Sequence, residues 1–305
     1  MDMQVIINQM VVLFILIALG YTGRKTKVLP SETDSVLTKL VLNITLPCTI
    51  LSSVLDGNLI ITGGETAFFM LMVLLALLIS MVVAIPASRV ICIGKTNHGI
   101  YAAVIFMGNV GFMGFPMANA IFGIESTFYV ALNLIFFQIL SFALGPVLIS
   151  GKGGKFDLSA LRNPALITSL IVIPLALFGV RVPGMIGNAV SLIGSVTIPG
   201  SMLIIGFMLG QFSPRDTFSE WRLYIITLLK LIVIPVVTWL VLRLLITDEL
   251  MLGVLVVLSA MPTAAIVAMF AIEYDGDQRA ASGGIFLTTL LSCATVPLIV
   301  YLLLM

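Results

Sequence analysis

Charge is what this chain has least of. Only 10% of its 305 residues are Asp, Glu, Lys or Arg, and the net charge is +1. Covering a water-facing surface takes about 25% charged residues, so a soluble domain is excluded, and nothing in the charge balance suggests a nucleic-acid partner. Histidine occurs once, as His98 beside Lys95, and reads as a solvated residue at a helix boundary. The three cysteines, Cys48, Cys92 and Cys293, fall at unrelated spacings in apolar stretches and offer neither a disulfide framework nor a metal pair. There is no HExxH, no GxSxG, no intramembrane pair of aspartates and no GxxxxGK[ST]. An enzyme and direct use of ATP are therefore not expected, and neither is a cofactor. The N-terminus opens with Asp2 rather than a basic stretch and lacks a small-residue cleavage pattern, so the first apolar run reads as an uncleaved span.

What is abundant is hydrocarbon. Hydrophobic residues make up 60% of the chain, and the mean hydropathy is +1.21. Runs such as Phe68–Pro86, Phe128–Ser150, Leu223–Leu242 and Gly284–Met305 are long enough to cross a bilayer core. Breaks at charge and glycine clusters delimit ten candidate spans, near 3–23, 33–55, 66–93, 99–123, 126–149, 163–180, 185–211, 220–246, 249–273 and 279–303. The expected fold is thus an all-α polytopic membrane protein. Basic residues crowd alternate turns: Arg24, Lys25 and Lys27; Arg89 and Lys95; Lys152, Lys155 and Arg162; Arg215 and Arg222; Arg279. The opposite turns carry only Arg181 and Arg243. The crowded turns should face the cytoplasm and both termini the outside, as for a plasma- or inner-membrane protein in contact with lipid.

The longest connection, residues 151–162, divides the chain into 1–150 and 163–305, with five spans each. An odd number per half forces the halves to insert in opposite senses. "NITLPCTIL" (Asn43–Leu51) echoes "SVTIPGSML" (Ser195–Leu203), so that Thr45 and Pro47 match Thr197 and Pro199. Pro116 in the fourth span is paired with Pro262 in the ninth. Inverted repeats with paired interruptions are a mark of secondary transporters, and the interruptions point to the binding site.

"GNVGFMGFPMANAIFG" (Gly108–Gly123) and "SAMPTAA" (Ser259–Ala265) are those interruptions. Each proline lacks an N–H and displaces the carbonyl four residues before it, a loss tolerated in a membrane only where protein or a watery cavity surrounds it. Two half-helix N-termini with free N–H groups would attract an anion without a buried arginine. Candidate substrate contacts are Asn109, Gly111, Pro116 and Asn119 in the fourth span, and Ser259, Pro262 and Thr263 in the ninth. Asn133 and Gln138 in the fifth, Thr288 in the tenth and Asn43 in the second complete the set. The competing reading is that the prolines are packing kinks and the Ser and Thr hydroxyls bond back to their own helices. Lys230 lies too deep in the eighth span to snorkel easily, and either pairs with an acid or faces a cavity. "EYDGD" (Glu273–Asp277) reads as a solvated turn, with cation coupling as the alternative.

Taken in order, "NITLPCTIL", "GNVGFMGFPMANAIFG", "RNPALI", "IPGSMLIIGFMLG", "SAMPTAA" and "TTLLSCATVP" resemble the auxin efflux carrier family, which includes plant auxin exporters and bacterial malonate and malate permeases. The resemblance covers essentially the whole chain. It implies ten helices in two inverted five-helix repeats, similar to bile acid–sodium symporters, with spans 4 and 9 crossing at Pro116 and Pro262. Spans 1, 2, 6 and 7 would be a dimerising scaffold and spans 3–5 and 8–10 a moving unit, in an elevator-type carrier of a small organic anion. An anion channel and a sodium-coupled symporter are the alternatives. The ninth span departs from the family in lacking an asparagine to match Asn109.

Overall fold

The computed structural model describes residues 3–28, 30, 32–55, 61–92, 98–150, 163–180, 182–211 and 220–305. The linker 151–162 lies outside them, and so do Lys95, Lys152, Lys155, Arg162, Arg181 and Arg215. Within them the chain is helical apart from turns and short connections, and the only β-type pairing is one isolated bridge. Seven helices are long and apolar enough to cross a membrane: Ile7–Lys25, Ser35–Leu55, Gly63–Ile91, Ser126–Ser150, Gly184–Leu209, Trp221–Leu242 and Gln278–Leu304. Val110–Phe122, Pro164–Leu177 and Glu249–Ser259 are shorter apolar helices.

Local chemistry accounts for the helix starts. Thr62 and Glu65 form a reciprocal capping box, with the Thr62 N–H donating to Glu65 Oε2 and the Glu65 N–H to Thr62 Oγ1. Asn163 caps Pro164–Leu177 through the Ala165 N–H, with Pro164 in the first turn where its missing N–H is harmless. Asp248 and Asp277 cap the helices that begin at Glu249 and Gln278, so one acid of "EYDGD" has a structural task.

Prolines leave a repeated signature. Val41–Thr45, Val110–Gly114 and Leu229–Val233 are π-helical turns, and each is followed by an α-helix with proline as its second residue: Pro47, Pro116 and Pro235. Widening the turn by one residue lets the backbone pass a position that has no N–H to give. Such turns gather at functional sites because they re-aim side chains.

The chain forms two compact units. Unit 1 comprises Met1–Leu71, Gly111–Ile135 and Leu158–Gln211; unit 2 comprises Met72–Val110, Phe136–Asp157 and Phe212–Met305. In unit 1, Met3–Lys25 packs on Thr197–Leu209 at backbone distance: a Cβ on Gly20 would meet the Leu203 carbonyl, and one on Gly206 the Ile17 carbonyl. A buried hydroxyl chain joins the second and seventh spans. Thr49 Oγ1 donates to Thr197 Oγ1 at 2.7 Å, and Thr197 Oγ1 donates to Thr45 Oγ1 at 2.9 Å. In unit 2, Gly99 lies against the Leu148 carbonyl, and Phe270 packs edge-on to Phe142. All three cysteines are free thiols.

Candidate functional site

The fourth span does not break at its proline. The helix Gly99–Phe106 stops at Met107, and the chain runs through Gly108 and Asn109 before the π turn begins at Val110. The ninth span stops at Ser259 and restarts at Ile266. The two unwound stretches pair as a minimal antiparallel ladder centred on Gly108 and Thr263. The Asn109 N–H donates to the Pro262 carbonyl at 2.7 Å, and the Ala264 N–H to the Met107 carbonyl at 2.9 Å.

This geometry corrects one expectation. The residues that meet are Gly108 and Thr263, whereas Pro116 lies in the first turn of Phe115–Phe122 and belongs to the other compact unit. The proline cannot itself be the break, because the π turn before it already absorbs the missing donor. The unwound stretches between the half-helices spend their own N–H groups. Those of Asn109 and Ala264 serve the bridge, and that of Thr263 donates to Thr288 Oγ1 at 3.0 Å. A buried amide left unpaired is costly, so breaks that face each other satisfy one another first.

Hydroxyls complete the knot in unit 2. Thr263 Oγ1 donates to the Val104 carbonyl at 2.8 Å, replacing a helical partner lost at the break. Thr288 is fully buried and also donates to the Gly284 carbonyl, while receiving the Thr263 N–H. Asn109 is buried at the bridge and Pro262 lies beside it; Ser259 is half-buried and bonds back to Val256. Gln138 is half-buried on the Ser126–Ser150 helix. Thr289 and Ser292 likewise bond back to their own helix.

In unit 1, Asn133 is buried, and its Oδ1 has no hydrogen-bond partner among the described residues. An amide oxygen stranded in an apolar interior calls for an explanation, and a ligand is one. Asn119 is half-buried and reaches Thr127 Oγ1 at 3.5 Å. Gly111 is half-buried with open space where a Cβ would stand. Asn43 is exposed in its π turn. The described residues hold no cluster of metal-ligating side chains.

Lys230 was the residue whose place the sequence left open. It is buried to 1% exposure in the π turn Leu229–Val233, with its Nζ beside Gly108. Its depth in an apolar span was the only warning in the sequence.

Broken, mutually bridged helices in a polytopic helical chain fit a membrane transporter. The family profile described as "Membrane transport protein" matches residues 5–160 and 154–300. The chain belongs to that family, the auxin efflux carrier family, and is a multi-pass membrane transporter rather than an enzyme. It is 27% identical over 288 residues to an uncharacterized transporter of Methanothermobacter thermautotrophicus, covering 93% of this chain and 94% of that one. It is 26% identical over 302 residues to an uncharacterized transporter of Methanocaldococcus jannaschii, covering 94% and 95%. A Rhizobium meliloti protein described as "Putative malonate transporter" is 26% identical over 206 residues, 64% of each chain.

Proposed function

We propose that the protein is a secondary carrier of a small organic anion, a carboxylate of the malonate, malate or indole-acid kind, working by alternating access. The observation that carries this reading is the bridge itself: two interrupted spans, held to each other rather than to their own helices, beside the buried amide of Asn109. Discontinuous helices that meet in this way bind substrate in secondary transporters. The Rhizobium meliloti relative's name supports the carboxylate class.

The inverted repeat has its own support. Thr45 and Thr197, matched by sequence echo, are hydrogen-bonded to each other, as residues near a two-fold axis would be. An elevator with spans 1, 2, 6 and 7 as a dimerising scaffold and spans 3–5 and 8–10 as the moving unit follows from the family resemblance. Both termini would face away from the cytoplasm at the cell membrane.

Proteoliposomes containing the full-length protein decide the matter. Uptake of labelled malonate, malate or indole-3-acetate should saturate and should accelerate when the same unlabelled anion is preloaded. Non-saturating flux without exchange would make the protein a channel. No flux of any of the three would end the carboxylate reading.

A further inference from the structure

Lys230 has no part in the reading above. A Cβ placed on Gly108 would stand 3.2 Å from Lys230 Nζ, 3.6 Å from the Leu258 carbonyl oxygen and 3.7 Å from that of Met261. One amine and two backbone oxygens thus all lie within 4 Å of one point beside the bridge. The π turn packs against both Gly99–Phe106 and Gln278–Leu304, which encloses the side chain. Among the described residues the ion pair is Arg222–Glu220, and no carboxylate pairs with Lys230.

An ammonium buried without an acid is costly in hydrocarbon and persists only where fixed dipoles offset the cost. Such dipoles are present. Leu258 is in the last turn of Glu249–Ser259, and Gly108 follows the end of Gly99–Phe106, so two half-helix C-termini with partial negative charge meet at the amine. The Leu258 carbonyl would bond to residue 262 in an unbroken helix, but Pro262 has no N–H, and the N–H groups of Ala260 and Met261 reach it instead, the latter at a long 3.3 Å. Carbonyl oxygens at this point would repel a carboxylate and favour a cation. Helix C-termini and unwound carbonyls are where broken-helix transporters hold a coupling cation.

We propose that the Lys230 ammonium is a tethered cation standing where a coupling cation would otherwise bind, so that the carrier works without sodium. The inference rests on the carrier reading, but its test uses sodium alone as the probe. Thermal stability of the purified full-length protein is measured in NaCl and in choline chloride at equal ionic strength, for the native chain, Lys230→Ser and Lys230→Met. The native protein should behave identically in the two salts. Lys230→Ser, with the ammonium gone and the oxygens uncovered, should gain a saturating rise of about 2 °C or more in NaCl only. Lys230→Met, filling the space without charge, should be less stable than native and indifferent to sodium.

Three results would overturn the inference: sodium stabilising the native protein, Lys230→Met matching native stability, or a folded Lys230→Ser that ignores sodium. If neither variant folds, the native comparison still decides. Anion uptake is a separate measurement, so a protein that moves no carboxylate can still pass this test, and one that moves malonate can fail it.

Discussion

Asn109 and Thr263 sit next to each other across the bridge yet have opposite duties. The Thr263 hydroxyl is spent on the Val104 carbonyl, and its N–H on Thr288. Thr288→Val should therefore strand a buried amide. We expect a loss of about 1 kcal/mol, at the low end for a buried hydrogen bond because a membrane-embedded unfolded state also finds partners, read as a lower Tm in detergent. Asn109 is the side-chain amide closest to the exchange of backbone bonds. A carboxylate hydrogen-bonded to it is worth about 1.5–3 kcal/mol, so Asn109→Ala should weaken carboxylate binding about ten- to a hundredfold. Titration of native protein and variant with malonate measures this. Equal affinities would remove Asn109 from the site.

Helices in a membrane gain nothing from hiding apolar surface from lipid, so they associate through close fit. The contact between Met3–Lys25 and Thr197–Leu209 depends on Gly20 and Gly206 facing backbone carbonyls. Gly206→Val should force these helices apart and cost about 1–3 kcal/mol or more, whereas Gly111→Ala meets open space and should leave thermal stability near native. Comparable losses in both variants would mean that the tight approach is not what holds unit 1 together. At the bridge, Pro262→Ala returns a donor to the Leu258 carbonyl and favours an unbroken ninth span. Transport should fall at least about tenfold, on the order of 1.4 kcal/mol, in protein that still inserts. Unchanged transport would reduce Pro262 to a kink.

Across the whole molecule, the asymmetry of basic turns orients the chain. On a background lacking Cys48, Cys92 and Cys293, a cysteine at Met305 should react with an impermeant maleimide on intact cells. One at Lys155 should react only after permeabilisation. Labelling of Lys155→Cys from outside would reverse the topology. The compact units cut across the two sequence halves, each collecting segments from both. That is expected where the halves interleave rather than fold separately.

Composition and hydropathy determined the class. A chain this apolar can only satisfy its backbone in lipid as helices or a closed barrel, and its runs are of helix length. The correspondence of Thr45 with Thr197 was legible because it is a direct echo between the halves. What tertiary structure alone decided is the place of the break and the company of Lys230. Proline marks where a helix has a missing donor, but a π turn can absorb that defect, and whether the chain unwinds depends on finding partners on another segment. Gly108 and Thr263 found each other across the fold. Lys230 acquired its meaning the same way, since no spacing in the sequence ties it to Gly108, Leu258 or Met261.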